Sequence, residues 1–218
     1  MKIKEAILYI PNLLSIGRII LIPLFIYLLF IPTNTARLWA LIVFAIASLT
    51  DLLDGWSARK LNQESELGEF LDPLADKFLV VSTLIALLLL DPLISFWMVL
   101  IIVGRDVLIT FMRYLAIKIN ATLRTSRFGK VKTAFQMGSI VIIIMIYMVR
   151  TKGVHIDEAT SVFDMMNSSH PEKWYIVAPY WIMFVVTILT AISGLRYLYS
   201  NRDLFVEYLK KNKEKNED

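Results

Sequence analysis

Four aspartates lie near the ends of two otherwise apolar segments of the chain. Asp51 and Asp54 are three residues apart and Asp72 and Asp76 are four apart, so on a helix each pair shares one face. Clustered carboxylates repel one another unless cations lie between them. Because the chain contains no cysteine and this cluster no histidine, the donors here are oxygens, which suit hard cations such as Mg2+, Mn2+ or Ca2+. The spacing therefore predicts a site for two divalent cations, as in phosphoryl-transfer enzymes.

Small residues and one arginine separate the two acidic pairs. Gly55, Ala58 and Gly68 would let a nucleotide or phosphate approach the helix backbone closely, and Arg59 could neutralise a phosphate. The same small residues also suit close packing between membrane helices. Arg59 could equally extend its charge towards lipid headgroups. The residues alone leave both interpretations open.

The elements that carry these residues are predicted to be membrane helices. Of the 218 residues 57% are apolar, the mean hydropathy is +0.61, and several apolar runs approach the roughly 20 residues that cross a bilayer. Backbone amides in lipid must bond within their own segment, so the predicted fold class is all-α. We predict a single membrane domain, residues 1–218, with six spans at residues 12–31, 37–61, 72–91, 93–119, 129–149 and 174–195.

Lysine and arginine collect in one set of the connections between these spans, which predicts that this side, with both termini, is cytoplasmic. Residues 1–10 are predicted to form an interfacial amphipathic helix, and residues 201–218 a basic cytoplasmic tail. Both acidic pairs then lie just inside the cytoplasmic boundary. His155 and His170 are isolated in the polar segment 150–172, which we interpret as a surface loop and not as a metal site.

The acidic motif also supports a family assignment. In type and spacing it resembles the signature of the CDP-alcohol phosphotransferase family at Asp51, Asp54, Gly55, Ala58, Arg59, Gly68, Asp72 and Asp76. The resemblance implies that Asp51, Asp54 and Asp72 bind two metal ions, and that Asp76 is both a ligand and the catalytic base. It also implies that Gly55, Ala58, Arg59 and Gly68 bind the CDP-lipid, and that the protein is a homodimer.

A second group of charged residues bears on the acceptor alcohol. Arg105 and Arg113 are eight residues apart in an apolar run, so both can face one cavity, and Arg124, Lys130 and Lys132 surround the start of the fifth span. If these cations line the catalytic cavity, they favour an acceptor that carries a phosphate, such as glycerol 3-phosphate. Pairing with a neighbouring acid or the positive-inside rule explains the same residues without a ligand.

Further residues resemble one branch of the family, the branch that makes phosphatidylglycerol phosphate. They are residues 11–19, reading PNLLSIGRI, and residues 104–106, reading GRD. This resemblance implies transfer of a phosphatidyl group from CDP-diacylglycerol to glycerol 3-phosphate with release of CMP. It suggests Asn12 and Arg18 as contacts for the donor or its headgroup, although Asn12 could instead cap the first span. Inositol phosphate, inositol and serine remain alternative acceptors.

A protein of another class, a cation transporter, could also place acids within a membrane. Transporter sites typically lie near the midplane within repeated halves, whereas these aspartates cluster at one boundary and no repeat is visible. The absence of a recognisable targeting segment favours a bacterial plasma membrane. The predicted partners are membrane lipids and the two substrates, and no nucleic acid.

Overall fold

The structure is a computed structural model that describes residues 9–61, 66–118, 127–150 and 173–202. At residues 10, 11, 51–61, 66–74, 76, 118, 127, 128, 130 and 173 it describes the helical backbone and not the side chains. Several predictions fall outside the described residues. They concern residues 1–8 of the interfacial helix, the surface loop with both histidines, residues 203–218 of the basic tail, and Arg124.

Every regular element among the described residues is a helix, which confirms the predicted all-α class. The helices are α1 (Ile10–Phe30), α2 (Asn34–Leu61), α3 (Glu66–Leu90), α4 (Phe96–Lys118), α5 (Arg127–Arg150) and α6 (Lys173–Ser200). Within the described ranges, three stretches are long and apolar enough to cross a bilayer: Asn12–Phe30, Val131–Arg150 and Trp174–Ser200. The chain therefore has the composition of a membrane protein, and the count of six spans stays a prediction.

Helices α2 and α3 begin three and six residues earlier than the predicted spans, for local reasons. Helix α2 starts three residues early because the Thr33 hydroxyl accepts a hydrogen bond from the Ala36 N–H at 3.2 Å, which caps the helix. Helix α3 starts at Glu66 instead of Asp72, and an acidic residue in the first turn is favoured by the helix dipole. Gly68 therefore lies within a helix and not in a connecting segment.

Met1–Pro92 and Val141–Ile176 form one compact unit, which we call unit 1. Within it, α1 packs against both α2 and α3. The rings of Phe25 and Phe44 lie 5.4 Å apart between centroids. Ala40 and Ala47, two turns apart on α2, are fully buried, and such small residues let neighbouring helices approach closely. This packing positions α2 and α3, the helices that carry the four aspartates.

An ion-pair cluster lies in unit 1 at the end of α3 opposite to its aspartates. The Asp91 carboxylate is fully buried, and its Oδ2 accepts hydrogen bonds from Arg150 Nη1 at 2.7 Å and from the Tyr147 hydroxyl at 3.2 Å.

Arg37 Nη1 donates to the main-chain carbonyl of Tyr147. The guanidinium groups of Arg37 and Arg150 also lie 5.7 and 5.9 Å from the centre of the Tyr147 ring. This Asp91 cluster joins the start of α2, the end of α3 and the end of α5.

Leu93–Ile140 and Val177–Asp218 form a second compact unit, unit 2. Helices α4 and α6 of this unit run in the same direction, as two contacts between them show. The rings of Trp97 and Phe184 lie 6.2 Å apart, and eight residues further along α4 the guanidinium of Arg105 contacts Ser193. Two membrane helices that run the same way need an odd number of crossings between them, which agrees with α4, α5 and α6 as successive spans.

Candidate functional site

The acidic motif occupies the facing ends of two consecutive helices in unit 1. Asp51 and Asp54 lie in the last three turns of α2, and Asp72 and Asp76 lie in the first three turns of α3. Only residues 62–65 separate the two helices along the sequence, so both pairs lie within three helical turns of this short connection. The donor set is four carboxylates, which fits hard divalent cations. The side chains themselves are among those the structure does not describe.

A buried polar stripe on α1 accompanies this motif. Asn12, Ser15 and Arg18 follow one another at intervals of three residues, and all three are buried. Arg18 is 0% exposed, and its Nε donates to the Thr50 hydroxyl at 3.4 Å. Thr50 immediately precedes the first aspartate of the motif. The stripe therefore brings a guanidinium that is removed from solvent to the helix segment where the acids begin.

Sequence reasoning identified Asn12 and Arg18 but missed Ser15. The signal was present, because three polar residues at a spacing of three stand out in an otherwise apolar helix. The structure also leaves no room for Asn12 as a simple helix cap, since α1 begins at Ile10 with Tyr9 as its N-terminal cap residue.

The second charged group lies in unit 2 and centres on one carboxylate. Asp106 Oδ1 accepts hydrogen bonds from Arg105 Nη1 at 2.9 Å and from Lys132 Nζ at 3.1 Å. Arg105 Nη2 donates to the Ser193 hydroxyl at 2.8 Å. The Lys132 side chain is 4% exposed and the Asp106 side chain 26% exposed. One negative charge thus holds two positive charges side by side, and this Asp106 cluster carries an excess of one positive charge.

Two glycines border the Arg105 side chain. A Cβ at Gly194 would lie 3.0 Å from Arg105 Cγ, and a Cβ at Gly129 would lie 3.9 Å from Arg105 Nη2. The first distance is too short for an undisturbed contact between carbon atoms. Gly194 is therefore needed for the observed position of Arg105. Sequence reasoning missed both Ser193 and Gly194, since nothing in the sequence indicates which face of α6 approaches α4.

The structure brings together part of the predicted acceptor site. Arg105 and Lys132 meet on Asp106, so the pairing of Arg105 with an acid is real, but the acid is shared with a second predicted cation. Arg113 is exposed, and it shares with Arg105 an electrostatic interaction with Tyr197 of α6. Lys130 lies on α5 with its side chain undescribed, and Arg124 lies outside the described residues.

Comparison with known proteins gives consistent relatives. The chain is 34% identical over 206 residues to the CDP-diacylglycerol–glycerol-3-phosphate 3-phosphatidyltransferase of Wigglesworthia glossinidia brevipalpis, covering 91% of this chain and 98% of that protein. The Escherichia coli (strain K12) protein of the same name is 30% identical over 198 residues, covering 88% and 94%. The Bacillus subtilis (strain 168) protein of that name is 38% identical over 140 residues, covering 59% and 72%.

A family model matches residues 8–166. This range contains the buried stripe of α1, the acidic motif, and Arg105, Asp106 and Lys132 of the Asp106 cluster. The family assignment made from the spacing of the aspartates is thereby confirmed. Family members are transferases that act on CDP-linked alcohols in membrane lipid synthesis. The chain belongs to the CDP-alcohol phosphatidyltransferase family.

Proposed function

We propose that this protein transfers the phosphatidyl group of CDP-diacylglycerol to sn-glycerol 3-phosphate, giving phosphatidylglycerol phosphate and CMP. The reaction class follows from the family, and the acceptor follows the names of the relatives aligned over most of their length. The structural observation that carries the acceptor assignment is the Asp106 cluster. Two cations held on one shared carboxylate retain a net positive charge, which suits an acceptor that itself bears a phosphate.

The four aspartates are proposed to form the catalytic centre. Asp51, Asp54, Asp72 and Asp76 would hold two divalent cations, Mg2+ or Mn2+, which when bound would neutralise the pyrophosphate of the donor and the charge on departing CMP. Asp76 would accept the proton of the attacking hydroxyl. Since a carboxylate is a weak base, most of its contribution must come from holding that hydroxyl in line with the phosphorus.

The donor lipid is proposed to lie between α1 and the acidic motif. Gly55, Ala58 and Gly68 offer little bulk beside the helix backbone, and Arg59 would contact a phosphate. Asn12 and Arg18 are buried on α1, and the hydrogen bond from Arg18 to Thr50 places positive charge beside the start of the motif. A guanidinium there would attract the diphosphate of CDP-diacylglycerol.

The acceptor is proposed to bind through Arg105 and Lys132, with Arg113, Arg124 and Lys130 contributing positive charge around them. Asp106 would keep the two inner cations in place before the substrate arrives. This arrangement reduces the conformational entropy that binding must remove. The same positive charge would repel acceptors that carry an amine and no phosphate.

In the proposed topology all six helices cross the plasma membrane, both termini are cytoplasmic, and the catalytic centre faces the cytoplasm. The parallel course of α4 and α6 supports this alternation. We further propose that residues 1–218 act as one membrane domain and that two copies form a homodimer, with membrane lipids as the surrounding partners.

The test is CMP release by the purified protein in detergent, with CDP-diacylglycerol, Mg2+ or Mn2+, and one acceptor per reaction. Glycerol 3-phosphate should support release, while inositol phosphate, inositol and serine should not. Asp76→Asn should lower the rate by about 100-fold to 10,000-fold, the range expected for loss of a general base. Ser82→Ala is a matched control on the same helix, because among the described residues the Ser82 hydroxyl bonds to carbonyls of its own helix, those of Phe78 at 2.5 Å and Leu79 at 3.1 Å.

Release with a different acceptor would refute the assignment of glycerol 3-phosphate and retain the metal chemistry. An Asp76→Asn variant with wild-type activity would refute the proposed base. If no acceptor supports release by the wild-type protein, the transferase reaction itself is wrong, and metal-ion transport into proteoliposomes becomes the next measurement.

A further inference from the structure

Unit 2 contains more buried polar groups than its ion pairs require. Polar residues follow one face of α5 and one face of α6 at helical spacing, and each of these residues is at most 5% exposed. They are Lys132, Gln136 and Ser139 on α5, and Thr187, Thr190 and Ser193 on α6. In an apolar helix such groups raise the free energy of the folded state unless each finds a hydrogen-bond partner.

Four of these six residues have partners. Lys132 and Ser193 belong to the Asp106 cluster. Ser139 donates to the Phe135 carbonyl at 2.8 Å, and Thr187 donates to the Met183 carbonyl at 2.7 Å, each one turn back along its own helix. This local bond is the usual way in which a helical hydroxyl is satisfied.

Gln136 and Thr190 differ from these four residues. Gln136 is 3% exposed and Thr190 0% exposed, yet Gln136 Nε2 and Thr190 Oγ1 have no hydrogen-bond partner within the part of the chain that the structure describes. Native proteins leave few buried polar atoms unpaired, because a buried group without a hydrogen bond destabilises the folded state. The unpaired atoms therefore indicate that something outside the described chain bonds to them.

Both residues are next to the Asp106 cluster. Gln136 is one helical turn beyond Lys132 on α5, and Thr190 is one turn before Ser193 on α6. Arg105 Nε is likewise buried and has no hydrogen-bond partner among the residues that the structure describes. A ligand that satisfies all three atoms needs an anionic group for the cations and a neutral oxygen within a few ångströms of that anionic group. A small phosphorylated alcohol with a second hydroxyl has this composition.

We infer that Gln136 and Thr190 bind the non-reacting hydroxyl of the acceptor. They would thereby select phosphorylated polyols over phosphorylated alcohols that carry only the reacting hydroxyl. The inference rests on the proposed function and adds a specificity subsite to it. In glycerol 3-phosphate, with the phosphate on C3 and attack by the C1 hydroxyl, the group bound would be the C2 hydroxyl. A hydroxyl can accept a hydrogen bond from Gln136 Nε2 and form a second one with Thr190 Oγ1.

The experiment compares two acceptors that differ only in this hydroxyl. CMP release by the full-length protein in detergent is measured against glycerol 3-phosphate and against 3-hydroxypropyl phosphate, which lacks the C2 hydroxyl. The wild-type protein should favour glycerol 3-phosphate in kcat/KM by about 10-fold, as expected for one or two hydrogen bonds lost to a buried site.

The variants Gln136→Met and Thr190→Val keep side-chain volume and remove the polar atoms. Each should raise KM for glycerol 3-phosphate and leave KM for 3-hydroxypropyl phosphate unchanged, so that the preference falls towards 1. Thr190→Ser keeps a hydroxyl and should retain the preference. Thr187→Val is the matched control, because that hydroxyl is already bonded within its own helix, and it should also retain the preference.

Equal use of both acceptors by the wild-type protein would overturn the inference while leaving the proposed reaction intact. Variants that weaken both acceptors equally would also overturn it, and would assign the two residues to packing or to a buried water molecule. Absence of CMP release with every acceptor would overturn the proposed reaction and this subsite together.

Discussion

The two units each contain a cluster of cations around a single aspartate, and the two clusters differ in how that aspartate is used. Asp91 in unit 1 is fully buried, and one of its oxygens receives both Arg150 and the hydroxyl of Tyr147. Asp106 in unit 2 is partly exposed, and one of its oxygens is shared by Arg105 and Lys132. Both clusters bond an acid to helical partners, but in the second cluster two cations share one carboxylate oxygen, and the neighbouring Gln136 Nε2 and Thr190 Oγ1 have no hydrogen-bond partner among the described residues.

This difference fits a structural role for the Asp91 cluster and the binding role proposed above for the Asp106 cluster. In the Asp91 cluster the hydrogen bonds tie together the ends of three helices, and Arg37 turns its charge towards the carbonyl and ring of Tyr147. In the Asp106 cluster two cations share one carboxylate oxygen, so the cluster keeps a net positive charge that a bound anion would balance. A buried ion pair is thus uninformative about function until the surrounding charge and hydrogen bonds are counted.

The largest effect should come from Asp91→Asn, which leaves the largely buried guanidinium of Arg150, 12% exposed, without its counter-ion. Breaking one half of a buried pair costs about 3–5 kcal/mol, equivalent to a fall of about 10 °C in the midpoint of thermal denaturation for a chain of this size. Thermal denaturation in detergent measures it. KM for the acceptor should not change in the protein that remains folded; a specific rise would show that the Asp91 cluster contributes to the site.

Asp106→Asn should have the opposite effect to Asp91→Asn, with a large change in KM for the acceptor and a small change in stability. Removing the shared charge leaves Arg105 and Lys132 to repel each other, so that their positions shift and KM for glycerol 3-phosphate rises by about 10-fold or more. The midpoint of denaturation should fall by less than in Asp91→Asn, because Asp106 is partly exposed. Kinetics and denaturation of the two variants in parallel test the distinction, and an unchanged acceptor KM would contradict it.

A smaller effect is expected from Gly194→Ala. The added methyl group would lie 3.0 Å from Arg105 Cγ, so the guanidinium must move away from Ser193 or Asp106. We expect KM for the acceptor to rise about 3-fold to 10-fold, corresponding to one weakened hydrogen bond to a charged group, with kcat largely retained. Acceptor titration at saturating CDP-diacylglycerol measures it.

Gly138→Ala provides the comparison for this variant, because nothing lies within 4 Å of the added group at that position. It should leave KM at the wild-type value and slightly stabilise α5, since alanine favours a helix over glycine by up to about 1 kcal/mol. Equal behaviour of the two glycine variants would mean that the position of Arg105 does not determine acceptor binding.

The helical architecture and the acidic motif were accessible from the sequence for different reasons. Apolar runs near the length of a bilayer predict helices because lipid offers the backbone no other hydrogen-bond partners. The four aspartates were recognisable by spacing alone, and the family assignment that followed is confirmed. Their roles as ligands and base stay predictions, as does the set of residues assigned to the donor.

The hydrogen-bond partners of the cations could not be predicted from the sequence in the same way. The pairing of Arg105 with its sequence neighbour Asp106 was foreseen as an alternative, but its contact with Ser193, 88 positions away, depends on which faces of α4 and α6 meet. Single-sequence periodicity does not determine that rotation when an apolar helix is surrounded by lipid and protein alike. For the same reason Gln136 and Thr190 read as ordinary polar residues until their burial and unpaired atoms are known.

The smallest expected effect, Tyr147→Phe, separates the two interactions within the Asp91 cluster. The change removes a 3.2 Å hydrogen bond to Asp91 Oδ2, but the charged bond from Arg150, the main-chain bond from Arg37 and an aromatic ring all remain. A neutral hydrogen bond contributes about 0.5–1.5 kcal/mol, so the denaturation midpoint should fall by only a few degrees and acceptor KM should stay constant. In the double variant with Asp91→Asn, the fall in the denaturation midpoint should be smaller than the sum of the falls in the two single variants. The reason is that Asp91→Asn already removes the charged acceptor of the tyrosine hydroxyl. A loss as large as that of Asp91→Asn would instead make the tyrosine, and not the arginine, the principal partner of the buried acid.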